Sequence, residues 1–355
     1  MGSTSRLFES KVMKSMSSRG GTPAKMGPGN KRQGMTLIEL LVVLGIIVTI
    51  AGMLLFMLNG AREESRRLRT VAQVRRVNQV IAERWEELQL QPINVKRKSD
   101  QFGPGYDDLP NLGLKKIFRL NAARERLRLE FPDRVSDVMP LPLENRRRRE
   151  YCQSSSAMAE IQRRVELLCG TNDWNLIYNV SSPGDSLWSL SHQGAECLYL
   201  ILSSIYDDEG SALRFFSPSE IGDKDNDNIP EIWDAWGNPI QFLRWAPGFP
   251  SPIQSQNPLE SPDPFDPYLA DKLIRDSEDP IQETYLLYPL VVSAGSDGSY
   301  DLAFDFEETW SYRNTSPPND PFEIKNGFLL GMPVDLDDGV PNGNADNIDN
   351  HWDIR

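Results

Sequence analysis

Between Met35 and Leu58 the chain reads MTLIELLVVLGIIVTIAGMLLFML, 24 residues whose only charge is Glu39. As a helix this stretch spans roughly 36 Å, enough for a bilayer core of about 30 Å. A carboxylate inside such a span costs about 2.5–3.5 kcal/mol even on mild insertion scales, so it calls for a partner. The flanking sequence offers no cation close enough to serve. One would appear if the chain were cut after Gly34, because Met35 would then carry a free ammonium.

The residues around that bond read Lys31-Arg32-Gln33-Gly34-Met35-Thr36-Leu37-Ile38-Glu39. This segment resembles the cleavage and methylation motif of type IV prepilins and type II secretion pseudopilins, with Met35 in the place where phenylalanine is common. The resemblance implies a prepilin peptidase that cuts between Gly34 and Met35 and methylates the new amino terminus of Met35. It also implies that Glu39 pairs with the terminal amine of a neighbouring subunit during assembly. The plainer reading is a signal anchor in which Glu39 has no role.

Charge does not orient the span. Lys25, Lys31 and Arg32 precede it, but Arg62, Arg66, Arg67, Arg69 and Arg75 follow it, so positive charge alone favours the opposite topology or none. The resemblance places residues 1–34 in the cytoplasm as a cleaved leader and the remainder outside the bacterial inner membrane. That leader holds seven Lys/Arg and one acid, and its removal takes the formal charge from −13 to −19. A mature chain this acidic is not expected to bind nucleic acid. Initiation at Met26 would leave a leader of nine residues.

After the span, Val71, Val74, Val77, Ile81, Trp85 and Leu88 recur at spacings of three and four, which predicts that the helix continues with one apolar stripe. Pro92 ends it. Residues 35–58 are therefore expected as the transmembrane helix and 59–91 as a stem helix entering a globular domain. Residues 92–150, with several prolines and the run Arg146-Arg147-Arg148-Arg149, read as an insertion. Residues 151–355 read as an α+β domain, with helices at 151–169 and 192–205. Strands are expected at Ile240–Trp245, Thr284–Ser293 and Phe328–Leu330. The whole is a pilin-like arrangement, a long N-terminal helix packed on a domain with a small antiparallel sheet. If 150–168 is one helix, Cys152 and Cys169 lie roughly 25 Å apart; a disulfide would then need Cys197, the alternative being unpaired thiols.

The segment Asp223-Lys-Asp225-Asn-Asp227-Asn228-Ile229-Pro-Glu231-Ile-Trp-Asp234 spaces oxygen ligands as a calcium loop does. Asp223, Asp225, Asp227, Ile229 through its carbonyl, Glu231 and Asp234 are the candidate Ca²⁺ ligands. Asn228 stands where a calcium loop has glycine, and asparagine tolerates the left-handed turn required there. The plainer reading is an acidic surface turn. Asp234-Ala-Trp236-Gly237-Asn238-Pro239 and Ser293-Ala-Gly295-Ser-Asp297-Gly298 are similar to segments of the major pseudopilin of type II secretion, a family with a calcium site in its C-terminal loops. Asp335, Asp337, Asp338, Asn342, Asn344, Asp346 and Asp349 form a second cation site or a solvated tail. Gly184-Asp185-Ser186-Leu187 spells an esterase block, but the chain has only two histidines, His192 and His351, and lacks the partner motif. The expectation is an assembly subunit rather than an enzyme, with prepilin peptidase, other pilin-type subunits and the inner membrane as partners. The alternative is a non-assembling single-pass protein whose extracytoplasmic domain binds a ligand.

Overall fold

Thr36 and Glu39 start the first helix together. The Glu39 amide donates to Thr36 Oγ1 at 3.3 Å, and the Thr36 amide donates back to Glu39 Oε2 at 2.8 Å. This reciprocal capping box satisfies two donors that a helix start otherwise leaves open. The resulting helix α1 runs Leu37–Leu90 and stops just before Pro92.

The computed structural model describes residues 35–99, 105–140, 151, 155–179, 182–208, 210–255, 262–274, 285–304, 321–322, 328–334 and 346–352. The leader with Gly34, the Arg146–Arg149 run, Cys152 and the acidic residues between 335 and 345 lie outside the described residues. The chain divides into two units, Met1–Leu58 and Asn59–Arg355. In the first, every described residue is exposed, including large apolar side chains such as Leu37, Phe56 and Met57. That segment is long and apolar enough to cross a membrane.

In the second unit the later turns of α1 bury one stripe, Val74, Val77, Ile81, Trp85 and Leu88, in the core. Helix α2 (Leu112–Glu130) is capped by Asn111, whose side chain accepts from the Leu114 amide at 2.8 Å, and the short α3 (Val135–Val138) follows. Helix α4 (Ser156–Cys169) is capped by Ser155 and closed by Gly170 in the left-handed conformation, φ 68°. After α5 (Trp174–Ile177), helix α6 (Gln193–Ser204) is buried over Gln193–Ser203. The 3₁₀ and α turns between residues 106 and 140 give the expected insertion regular structure.

The strands are short. β1 (Tyr206–Asp207) pairs with β2 (Gly210–Ser211), and β3 (Ile221–Gly222) pairs with β4 (Glu231–Ile232), both antiparallel. Next come β5 (Gln241–Leu243), the one-turn helix α7 (Asp271–Ile274), β6 (Leu290–Ser293) and β7 (Ile348–Asp349). They form an antiparallel sheet of order β5-β6-β7, with Phe242 opposite Val291 and Val292 opposite Asp349. The fold is α+β. The expected strand from Thr284 begins only after Pro289, which has no amide hydrogen to donate to a ladder. Phe328–Leu330 runs instead into a turn, the Met332 amide donating to the Leu329 carbonyl at 3.1 Å, with Gly331 at φ 78°.

Trp85 joins stem to core, its ring lying 5.8 Å from Phe131, 5.1 Å from Phe265 and 6.2 Å from Tyr288, centre to centre. Beside it sits a buried ionic cluster. Arg244, with no exposed surface, donates to Asp137 Oδ2 at 2.7 Å and to the Phe131 carbonyl at 2.8 Å, and lies 3.3 Å from Asp133. Asp133 is also 3.1 Å from Arg134. Arg124 grips Asp271 through both carboxylate oxygens, tying α2 to α7. Breaking one partner of a buried pair strands the other charge. Replacing Arg244 by Ala is therefore expected to destabilise the chain by about 3–5 kcal/mol. Arg163→Ala, at an exposed pair 3.3 Å from Glu160, should cost under about 1 kcal/mol. Denaturant unfolding of the full chain in detergent measures both, and equal costs would contradict the assignment.

Candidate functional site

Two places gather the residues singled out by sequence. At the amino-terminal end, Met35 is exposed and precedes the Thr36–Glu39 capping box. Glu39 Oε2 accepts from the Thr36 amide and from Thr36 Oγ1 at 3.0 Å. The carboxylate thus has neutral donors as partners, both on Thr36, the residue after Met35. The Thr-x-x-Glu spacing carries that signal in the sequence.

The second place is the loop between β3 and β4. Asp223 folds it, accepting from the Asp227 amide at 3.2 Å and the Asn228 amide at 2.9 Å. Asn226 and Asn228 take left-handed conformations, φ 61° and 78°, the role expected of Asn228. Asp227 accepts from the Ile229 amide and the Ser189 amide, each at 2.8 Å, and Asp225 accepts from Ser189 Oγ. Glu231 takes the Lys224 amide at 3.0 Å and the Trp233 indole at 3.3 Å. Carboxylate oxygens of Asp223, Asp225 and Glu231 come within 4.8 Å of one another. A second such group consists of Asp225, Asp227 and Glu196, which lies on α6 and was not among the expected ligands.

Asp234 stands outside both groups. Its Oδ1 accepts from the Trp236 amide at 2.8 Å and the Asn238 amide at 2.9 Å, and its Oδ2 accepts from Ser293 Oγ at 2.7 Å. It holds the Asp234–Pro239 turn against the 293–298 turn, which Asn238 Nδ2 also reaches through the Gly295 carbonyl at 3.2 Å. Asp346 closes that turn, accepting from the Ser296 amide and hydroxyl at 2.8 Å each. A side chain at Gly295 would collide with the Asp346 carbonyl at 2.4 Å. Helix α1 meets the first turn directly, as Thr70 Oγ1 accepts from the Ala235 amide at 3.1 Å and Gln73 Nε2 donates to the Trp233 carbonyl at 3.0 Å.

Ser186 of the esterase-like block accepts from the Asn179 amide at 2.8 Å, and among the described residues neither histidine hydrogen-bonds to it. His351 is packed between the rings of Phe249 and Tyr288, where burial pushes its pKa down to about 4. A groove of about 680 Å³ borders Glu83, Arg84 and Glu130, but Arg84 is committed to Glu87 at 2.6 Å and Glu130 at 2.7 Å.

Burial is the main cause that raises the loop carboxyls, Asp227 to about 6 and Glu231 to about 7, and the neighbouring charges of Asp223 and Asp225 add to it. Such groups hold protons in the folded state that the unfolded chain, with ordinary values of 3.8 and 4.5, has already released. Their contribution to stability is present below about pH 4 and is lost as pH rises through about 7. With divalent ions chelated, the melting temperature of the full chain in detergent should fall by about 2–6 °C from pH 5 to pH 8. Asp227→Asn combined with Glu231→Gln should flatten that slope relative to wild type; an unchanged slope would contradict the reading.

Residues 29–55 match the family model of the prokaryotic N-terminal methylation motif. No curated protein sequence and no solved structure matches the chain. The matched span contains Gly34, Met35 and Glu39 and most of the exposed apolar helix, so the chain is prepilin-like at its amino terminus and carries the prokaryotic N-terminal methylation motif.

Proposed function

We propose that this chain is a structural subunit processed by prepilin peptidase and assembled through its amino-terminal helix into a type IV pilus or type II secretion pseudopilus. The match of residues 29–55 to the methylation motif carries this reading. The exposed segment Met35–Leu58 supports it, because large apolar side chains on every face need lipid or neighbouring helices to cover them. The peptidase cuts between Gly34 and Met35 and methylates the Met35 nitrogen. The mature helix anchors the chain in the inner membrane as a single pass with residues 59–355 on the extracytoplasmic side.

On assembly, Glu39 exchanges Thr36 for the amino terminus of the neighbouring subunit. An ammonium–carboxylate hydrogen bond is stronger than the neutral bonds it replaces, and in an apolar filament core both charges need each other. Coexpression with a prepilin peptidase should give a product beginning with methylated Met35, read by mass spectrometry. Glu39→Ala should still be cleaved but enter filaments about tenfold less or worse, since it leaves an unpaired ammonium in apolar surroundings. Normal incorporation of that variant would overturn the role given to Glu39, and failure of the cleaved wild-type chain to enter filaments would overturn the assembly reading and leave a membrane-anchored protein with an extracytoplasmic binding domain.

A further inference from the structure

Glu196 sits on α6 with no exposed surface, and one of its oxygens accepts from the Trp188 indole. The other, Oε1, has no hydrogen-bond partner. A buried carboxylate oxygen without a donor is costly, because its lost hydration is not replaced. Asp225 Oδ1 is in the same condition. These two oxygens belong to side chains of one cluster: Glu196, Asp225 and Asp227 bring carboxylate oxygens within 4.8 Å of one another. Asp223 and Glu231 come as near to Asp225, with carboxylate oxygens within 4.8 Å of one another. Among the described residues none of these five carboxylates forms an ion pair. Lys224 extends its ammonium to the Gly237 carbonyl at 3.5 Å instead.

We propose that Glu196, Asp225 and Asp227, with Asp223 and Glu231 alongside, hold a hard divalent cation, Ca²⁺, which pins helix α6 to the 223–231 loop. The donor set is oxygen only and rich in carboxylate, the chemistry that suits Ca²⁺ and excludes soft metals. The loop, turned by two left-handed asparagines, and helix α6, through a buried glutamate, both supply ligands. The ion supplies what the protein lacks there: a partner for two orphaned oxygens and positive charge among five acids. The set keeps Asp223, Asp225, Asp227 and Glu231 of the calcium-loop reading. It gains Glu196 and leaves Asp234 to its hydrogen bonds with Trp236, Asn238 and Ser293. It is also separate from the acidic turn around Asp346, and it does not depend on filament assembly.

The test uses the full chain in detergent, stripped with EDTA and titrated with CaCl₂, and separately with Tb³⁺ as a luminescent stand-in. Trp188 touches Glu196 and Trp233 touches Glu231, so indole excitation should sensitise Tb³⁺ emission, and Ca²⁺ should displace it. Saturating Ca²⁺ should raise the melting temperature by about 3 °C or more. Glu196→Gln, which keeps the shape and removes the charge, should weaken Ca²⁺ binding by about tenfold or more. Asp346→Asn should leave the response intact. Absence of both the thermal shift and displaceable emission in wild type would overturn the proposal. So would an undiminished response in Glu196→Gln, or loss of the response in Asp346→Asn with Glu196→Gln unaffected. Should Glu196→Gln fail to fold, the wild-type emission and its displacement by Ca²⁺ decide the matter alone.

Discussion

The burial of one stripe of α1 governs the rest of the Asn59–Arg355 unit. Val74, Val77, Ile81, Trp85 and Leu88 share a face because 3.6 residues make a turn, and each contributes about 1.5–3 kcal/mol when it leaves water. The neighbouring turns add polar contacts of the same orientation. Thr70 and Gln73 are fully buried and hydrogen-bonded to the segment that ends β4, while Arg69 reaches Glu220 at 3.2 Å and Arg76 reaches it at 3.5 Å. A helix with polar groups inside its buried face can dock in one register only, since a shift of one turn would leave Thr70, Gln73 and Glu220 without partners. Over Leu37–Leu58 the same helix is exposed at every described residue, with Glu39 as the one charge. One continuous element therefore answers to two solvents, and the change falls between Leu58 and Thr70, where Glu63, Glu64 and the arginines cluster.

What the sequence makes legible follows from interaction range. The apolar span, the stripe after it, the stop at Pro92 and the helices at 156–169 and 193–204 all depend on neighbours within a few residues. The tolerance of Asn228 for a left-handed turn is likewise local, and its φ of 78° shows it. Glu196 was not legible. In the sequence it is one acid in an otherwise apolar helix, and only the packing of α6 on the 223–231 loop makes it a member of an acid cluster. The Arg244 network is opaque for the same reason, since its partners Asp133 and Asp137 lie more than a hundred residues away. Pro289 and the turn at Leu329–Met332 cut apolar runs short of the strands their composition suggests. At Asp234 a position that matches a ligand spacing carries a side chain that holds a turn.

The two clusters of buried charge obey different logic. Around Arg244 every acid has a guanidinium within reach, so the charges compensate each other in place, and the cluster is complete as folded. Around Asp225 the acids have amides, hydroxyls and indoles as donors, and among the described residues none of them forms an ion pair. Amide donors can organise such a loop, but they cannot cancel its charge, and the protons that Asp227 and Glu231 hold are lost as pH rises through about 6 and about 7. Once those protons are gone, the loop either pulls apart or takes up positive charge from solution. The buried position of Glu196 argues against the first outcome, because α6 is enclosed by the core along its length and cannot withdraw its carboxylate without unpacking Cys197, Leu200 and Ile201 around it. The proposed Ca²⁺ would leave both α6 and the loop where the fold places them.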